Sequence, residues 1–414
     1  MRLPKVFKTW IGLVMLAAVS PMASSHEAGH DMGHGHDMNA MWKMMLQGKP
    51  LAVSAAFDSN GRLWRASVSN GYLQVDYSDD HGKSFSTPVQ INREPEAISA
   101  EGENRPKIFV MPEGKIFVSY TQSLEKPFSG NVRFSRSRNG GKTFSAPVTI
   151  NDNQEVIGHR FDSMVVTPQG KIYVIWIDKR DAATAKRNGQ KFEGGSIYYG
   201  LYDEKTDRFT SNIKIAEHSC ECCRLATALD DDDVPVVVWR QIFGKSTRDH
   251  ALMHLDGKSP LIRASYDNWE INACPHQGPS LSISQDGRYH LVWFSGSPSH
   301  DGLFYEYSDD KGNHFSAPFH FGNDNAQASH PYVLSSGRQV YVVWKEFDGE
   351  KTVIMGMTSS NGGNGWSSPR VLASTKGASD HPLLVADKLG AYLSWNTQDQ
   401  GYRLIKIPTG NDTR

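Results

Sequence analysis

The sequence has no excess of charge of either sign, few cysteines and very few long apolar stretches. Lys and Arg total 44 against 45 Asp and Glu, a formal net charge of -1, and no basic run interleaved with aromatic residues occurs. A nucleic acid partner is therefore not expected. The apolar stretch at residues 11–19 is too short to cross a bilayer. No later stretch is long enough either, so we expect no membrane span in the mature chain.

The N-terminus has the three parts of a secretory signal. Basic residues occur among the first eight positions, the apolar stretch follows at residues 11–19, and small residues occupy positions 23–25. The pattern predicts a signal peptide over residues 1–25. It also predicts an exported protein, periplasmic or extracellular.

Glycine and aromatic residues are abundant. The chain has 37 Gly and 10% aromatic residues, which is typical of a turn-rich β protein. Four copies of a short pattern occur, with a Ser, an Asp or Asn two positions later, a Gly four positions later and an aromatic residue seven positions later. The copies are Ser78, Asp80, Gly82 and Phe85; Ser137, Asn139, Gly141 and Phe144; Ser308, Asp310, Gly312 and Phe315; and Ser359, Asn361, Gly363 and Trp366. The spacing predicts a closed hairpin turn, because the Asp or Asn side chain accepts bonds from its own turn and the Gly takes a positive φ.

A longer period accompanies these turns. Apolar runs that end in an aromatic residue recur at 116–120, 173–176, 236–239, 289–293, 340–344 and 391–395. Each repeat is predicted to be a four-stranded antiparallel sheet, with a tight turn, a loop and one of the short-pattern turns between successive strands. Repetition of such a sheet makes a β-propeller. We therefore predict an all-β fold, a β-propeller of four-stranded antiparallel blades, as a single domain over residues 49–414. Seven repeat units can be counted, and the repeated Trp residues are expected to pack between them.

The four short patterns resemble the Asp-box, or BNR repeat, of the sialidase family. The resemblance implies that the boxes are structural turns on the outer rim of a propeller, far from any reacting group. Sialidases of this family have six blades, so a six-bladed architecture is the alternative to the seven units counted. Function has to be argued from other residues.

Histidine and cysteine residues recur where the chain approaches the innermost strand of each unit. In a propeller these points collect at one mouth of the central channel, and imidazole and thiolate groups are the donors that transition metals such as copper prefer. The candidate metal ligands are His159, Cys222, Cys223, Cys274, His276, His330 and His381. Two alternatives stay open: disulfide pairing among the four cysteines, and histidines that only bond the loop backbone.

Residues 26–48 have no apolar periodicity and are predicted to be a disordered tail. The tail is rich in imidazole and thioether groups, which suit copper in either oxidation state. Its candidate ligands are His26, His30, Met32, His34, His36 and Met38. It resembles the His/Met-rich segments of bacterial periplasmic copper-handling proteins, which implies a role in capturing or delivering metal, with a solvated linker as the alternative.

The resemblance to sialidases also implies a catalytic alternative. That family holds a substrate carboxylate with three arginines, and Arg105 stands where the first of them would be, although Asn104 and Pro106 depart from the family motif. Arg160 and Arg224 are further candidates for binding an anion or substrate at the mouth. The first hypothesis is an exported propeller that binds copper in metal binding or resistance. The alternatives are an exo-α-sialidase-type glycosidase and a propeller that binds a glycan or protein without catalysis.

Overall fold

The computed structural model describes residues 50–408. The predicted signal peptide and the predicted metal-binding tail lie outside the described residues. The described part contains one α-helix, α1 (Arg180–Arg187), one short 3-10 helix (Asp324–Ala326) and 28 strands. Neither helix has the length and apolar character that would let it pass through a membrane.

The strands form six antiparallel sheets. The first two contain β1 (Ser54–Phe57), β2 (Leu63–Ser69), β3 (Tyr72–Ser78) and β4 (Val89–Gln90), then β5 (Lys107–Val110), β6 (Ile116–Ser123), β7 (Gly130–Ser137) and β8 (Val148–Thr149). The third has nine strands, namely β9 (His159–Val166), β10 (Ile172–Asp178), β11 (Gly195–Asp203), β12 (Arg208–Phe209), β13 (Ile213–Ser219), β14 (Ala226–Leu229), β15 (Pro235–Phe243), β16 (Thr247–His254) and β17 (Ile262–Arg263). The last three contain β18 (Ser280–Ile283), β19 (Tyr289–Ser297), β20 (His300–Ser308) and β21 (Phe319–Phe321), then β22 (Ser329–Ser336), β23 (Gln339–Phe347), β24 (Thr352–Ser359) and β25 (Arg370–Thr375), and finally β26 (Leu383–Asp387), β27 (Gly390–Thr397) and β28 (Gly401–Lys406).

Each sheet is a meander in chain order, except the nine-stranded one, which contains two meanders, β9–β12 and β14–β17. Strand β13 joins them because it pairs with β11 and, at Ser219 and Gln241, with β15. The prediction of an all-β fold built from four-stranded antiparallel sheets is thus confirmed, while the fused sheet is a departure from the predicted separate units.

The first strands of the seven meanders contact one another in sequence order, and β26 in turn contacts β1. Residues from all seven first strands line one channel of about 210 Å³. The closing contact between β26 and β1 is reinforced by a backbone amide, since Val53 N–H donates to Asp380 Oδ2 at 3.0 Å. Asn396 Nδ2 also donates to the Leu51 carbonyl at 2.9 Å.

Tryptophans on the second strands fill the core between neighbouring meanders. Trp176, Trp239, Trp293, Trp344 and Trp395 are all fully buried, as expected for their repeated position. The apolar clusters mix neighbouring sheets, because Trp176 of β10 packs in the same cluster as Phe117 and Phe134 of the preceding sheet. Such interlocking buries apolar surface on both faces of each sheet, the principal stabilising contribution to a fold of this kind.

The four short patterns form turns between the third and fourth strands of their meanders. In the first, Gly82 N–H donates to Ser78 Oγ at 2.7 Å and Ser84 N–H donates to Asp80 Oδ1 at 2.9 Å. The Gly residue of each turn, Gly82, Gly141, Gly312 or Gly363, has φ between +75° and +86°. A side chain at this position would be strained in that conformation, which explains why the pattern requires glycine.

Candidate metal centre

A cavity of about 640 Å³ adjoins the channel, and Gly102 and Glu103 line both spaces. We call it the mouth cavity. Most of its wall comes from segments that lead into, or begin, the first strands of six different meanders. Because these strands are arranged around one channel, the fold brings together residues that are far apart in the sequence.

Most of the sequence-predicted ligands meet in this cavity. Those that line it are Cys222, Cys274, His276, His330 and His381. Cys223 is buried in an apolar cluster instead. His159 is completely buried at the start of β9, and its Nδ1 lies 2.9 Å from Asp178 Oδ2. These two residues are therefore directed into the protein rather than toward the cavity.

Three cysteines form a compact thiol cluster, and two of them, Cys222 and Cys274, line the cavity. Cys220, Cys222 and Cys274 each offer a sulfur atom, and the three ligand atoms lie within 4.8 Å of one another. The Sγ atom of Cys220 is 3.8 Å from that of Cys222 and 3.4 Å from that of Cys223. All four thiols are free. A set of three sulfur donors this close together matches the ligand preference of soft metal ions.

The surroundings of the cluster favour a thiolate at Cys220. Hydrogen bonds from the Cys222, Cys223 and Cys274 thiols lower the pKa of Cys220 well below its usual value, and the Arg240 guanidinium acts in the same direction. The hydrogen bond to Cys220 raises the pKa of Cys274 to about 11. These hydrogen bonds favour the thiolate form of Cys220, which is the form that binds a metal.

Arg240 is the nearby positive charge. Its side chain is only 1% exposed, yet its guanidinium donates to the backbone carbonyls of Arg248, Gln277 and Phe294 at 3.0, 3.0 and 2.7 Å. Among the described residues it has no hydrogen bond to a carboxylate. A buried cation without a carboxylate partner is costly, and a neighbouring thiolate offsets part of that cost.

Glu103 connects four segments at the base of the mouth cavity. Its Oε1 accepts from Arg224 Nη1 at 2.9 Å and lies 3.1 Å from His330 Nδ1. Its Oε2 accepts from the backbone amides of Arg224 and Gly278 at 3.0 and 2.9 Å. The carboxylate is also 3.6 Å from His381 Nδ1. Burial opposes its ionisation, but Arg224, the bond from His330 and the nearby His381 hold the pKa of Glu103 well below its usual range.

His330 and His381 stack on each other beside Glu103. Their ring centroids are 3.5 Å apart and their planes differ by 22°. Burial, and then the adjacent His330, lower the pKa of His381 to about 3, and burial also lowers the pKa of His330. Both imidazoles are therefore neutral near pH 7, the state in which a ring nitrogen can bind a metal.

Three residues of the cavity wall have left-handed backbone conformations. Phe161, His276 and His330 have φ of 58°, 53° and 51°. Each such position costs on the order of 1 kcal/mol or more, and strained residues of this kind cluster at functional sites. The strain directs an aromatic ring and two imidazoles to one small volume.

The arginines predicted to hold an anion differ in how far they are already paired. Arg105 forms two bonds to Asp380, at 2.8 and 2.7 Å, and lines the channel rather than the mouth cavity. Arg224 is paired with Glu103. Arg160 lines the mouth cavity, and its nearest carboxylate, Glu101, lies 3.7 Å away. Of the three arginines, only Arg160 thus lines the mouth cavity with a weakly paired guanidinium.

The sequence analysis missed two members of the site: Glu103, and Cys220 as a ligand. Cys220 had a visible signal, since it belongs to the same dense thiol segment as Cys222. Glu103 is separated from Arg224 by 121 positions, and no local pattern marks either residue.

A ring of antiparallel meanders around a channel is the plan of the β-propeller, and solved structures with this fold include carbohydrate-active proteins. An ulvan lyase of polysaccharide lyase family PL25 is similar with a TM-score of 0.56 at 10% identity, over 87% of this chain and 93% of that chain. A lectin from Burkholderia pseudomallei is similar with a TM-score of 0.54 at 13% identity, over 88% of this chain and 99% of that chain. At these identities the likeness establishes the fold alone.

A Hadza microbial sialidase is similar with a TM-score of 0.49 at 12% identity, over 84% of this chain and 73% of that chain. A likeness this weak has no bearing on activity. No family model matches the chain, and no curated protein matches it.

Proposed function

We propose that this chain is an exported, seven-bladed β-propeller that binds copper, as Cu(I), through Cys220, Cys222 and Cys274, and that it serves in copper binding or resistance. The observation that carries the proposal is the clustering of three sulfur ligand atoms within 4.8 Å at the wall of the mouth cavity. The closed series of contacts among seven first strands supports the blade count.

Copper is favoured over other soft metals by two features. Thiolates select Cu(I), zinc and iron–sulfur clusters, and the thioether and imidazole groups of residues 26–48 add donors suited to copper in both oxidation states. Binding by three thiolates also places net negative charge in a buried site, and the guanidinium of Arg240 offsets part of it. The tail would capture the ion, and the thiol cluster would hold it.

The test compares Cu(I) binding by the reduced full-length chain with that of the variant Cys220→Ser/Cys222→Ser/Cys274→Ser. Competition with a chromophoric Cu(I) chelator gives stoichiometry and affinity, and X-ray absorption at the copper edge identifies sulfur ligands. Copper held by the tail contributes equally to both proteins, so the difference reports on the cluster. We expect the variant to lose one tightly bound Cu(I) and its sulfur scattering.

Met357→Leu is the matched control, because it removes a buried sulfur atom that belongs to a different apolar cluster and does not line the cavity. It should keep the tightly bound Cu(I). Equal binding by the wild type and a folded triple variant would refute the proposal.

Phe128 supports a second candidate, binding of an anionic carbohydrate in the mouth cavity. Its ring is 84% exposed and lines the cavity together with Arg160 and Lys179. Ligand pockets are lined mainly by apolar and aromatic side chains with a few polar groups, and about 640 Å³ is the size of a small-molecule site rather than of an ion site. The ulvan lyase that shares the fold is known in a complex with a -[GlcA(1-4)Rha3S]- saccharide.

Calorimetric titration with sulfated uronic oligosaccharides tests this candidate. Phe128→Ala should weaken binding, whereas Val371→Ala, which removes another exposed apolar side chain outside the cavity, should not. No heat of binding with the wild type would dismiss the candidate. Sialidase activity is less favoured, because Arg105 and Arg224 are already paired with buried carboxylates. A fluorogenic sialoside should accordingly release no fluorophore.

A further inference from the structure

We propose that His330 and His381 form a second metal site in the mouth cavity, distinct from the thiol cluster, which takes a divalent ion such as Zn²⁺ or Cu²⁺. In this site Glu103 is a positioning residue and not a ligand. The proposal does not depend on Cu(I) binding by the cysteines.

The orientation of the two imidazoles is the first observation. Both Nδ1 atoms face Glu103 Oε1, at 3.1 Å from His330 and 3.6 Å from His381. The Nε2 atoms lie on the other side of each ring, and no described residue forms a hydrogen bond with either. Both side chains line the mouth cavity. Two unsatisfied ring nitrogens are therefore presented beside an open space.

The saturation of Glu103 is the second observation. A carboxylate has about four lone-pair positions, and four donors are already present: Arg224 Nη1, His330 Nδ1, and the backbone amides of Arg224 and Gly278. A cation would have to displace one of them. Metal-binding histidines commonly donate their second N–H to a carboxylate, which fixes the tautomer and the ring orientation. Glu103 is placed to do this for His330 directly and for His381 at longer range.

The two imidazoles are close enough to share one ion if one ring turns. A ligand nitrogen of each lies within 4.8 Å of the other, and metal–nitrogen bonds of about 2.0–2.1 Å hold two ligand nitrogens at most about 4.2 Å apart. Because the stacked ring planes differ by only 22°, their lone pairs do not converge, so binding requires one side chain to rotate out of the stack. His276 is a third imidazole on the same wall, and water can complete the coordination. Imidazole nitrogens suit Zn²⁺ and Cu²⁺, whereas sulfur suits Cu(I), so the two clusters should be filled by different ions.

The test is a Zn²⁺ titration of the reduced full-length chain after it has been loaded with Cu(I), with bound metal measured by calorimetry and elemental analysis. The primary variant is His381→Ala. Its Nδ1 is buried without a hydrogen-bond partner, so its removal leaves no described polar group unpaired and should not impair folding. We expect it to bind one Zn²⁺ fewer than the wild type and to retain its Cu(I).

His314→Ala is the matched control, because this imidazole is 88% exposed and lies in the third box turn, away from the cavity. It should bind as much Zn²⁺ as the wild type. Equal Zn²⁺ binding by His381→Ala and the wild type would overturn the proposal. Simultaneous loss of Zn²⁺ and Cu(I) would show a single mixed site and overturn the separation of the two.

Glu103→Gln tests the positioning role. Loss of such a partner typically weakens metal affinity by about 10–100-fold without changing the ligands. With Cu²⁺ in place of Zn²⁺, electron paramagnetic resonance should show the same nitrogen couplings in the variant as in the wild type. Altered nitrogen couplings, or unchanged Zn²⁺ affinity in the folded variant, would contradict the assignment of Glu103.

Discussion

Replacing Glu103 with Gln should destabilise the metal-free protein more than any removal of a surface charge. The Glu103 side chain is 4% exposed and that of Arg224 is 12% exposed, so the substitution leaves a nearly buried guanidinium without its counter-charge. Breaking a buried pair in this way costs about 3–5 kcal/mol. It also replaces an acceptor of four bonds with an amide that can accept only at its oxygen.

The expected fall in Tm follows from the size of the fold. An unfolding entropy of roughly 2.1 cal/mol/K per residue gives roughly 0.75 kcal/mol/K for the described chain. A loss of about 3–5 kcal/mol then lowers Tm by about 4–7 °C. Scanning calorimetry at pH 7 with a metal chelator measures this shift without any contribution from ligand binding.

The control is Asp79→Asn, which breaks the ion pair between Arg62 and Asp79. That pair is exposed, with side chains 35% and 62% accessible, and such pairs contribute only about 0–1 kcal/mol. Its Tm should fall by about 1 °C or less. Equal shifts for Glu103→Gln and Asp79→Asn would refute the idea that Glu103 holds the mouth segments together. The pKa of Glu103 is lowered in the folded protein, so its contribution is present above the unfolded pKa of 4.5 and is lost as pH falls through the folded value.

Two further predictions concern other parts of the fold. Gly141→Ala should destabilise the protein in chemical denaturation much more than Gly140→Ala: both residues have positive φ, but a Cβ at Gly141 would lie 2.5 Å from the Trp64 ring, whereas one at Gly140 meets nothing within 4 Å. Equal midpoint shifts would contradict this account of the box turn. Burial, and then Asp267, raise the pKa of Glu306 from 4.5 to about 9, so the folded state binds the extra proton between these values and its stability falls as pH rises through them. Glu306→Gln should remove that dependence. The Tm of the variant minus that of the wild type should therefore increase from pH 5 to pH 7 to pH 9. A difference that stays constant over these pH values would contradict the prediction.

Much of the fold could be predicted because its signals are local. The box turns are specified by residues within eight positions of one another, and the alternation of apolar runs and tight turns specifies the antiparallel meanders. The pairing of β13 with β15 was not foreseen, because it rests on one residue pair, Ser219 and Gln241. A link of this kind leaves no periodic signal in the sequence.

The site was predictable only in part. The recurrence of His and Cys at equivalent points before the first strands was enough to bring Cys222, Cys274 and His330 to one cavity. It could not indicate that His159, at the same relative position, bonds to Asp178 and faces inward. Nor could it reveal Glu103, because the role of a buried carboxylate depends on which hydrogen-bond donors surround it in the folded chain. Long-range ion pairs are properties of the assembled ring and not of any segment.

The contact between β26 and β1 is stabilised by Asp380, which accepts hydrogen bonds from the Val53 amide and the Arg105 guanidinium. The bond between Val53 and Asp380 joins segments 327 positions apart. Under mechanical tension or at the onset of thermal unfolding, we expect β26 and β1 to separate first. His381 is the next residue after Asp380, so separation of β26 from β1 would remove one imidazole from the cavity. Metal affinity and the stability of the β26–β1 contact would then be coupled, and a bound metal would stabilise this contact.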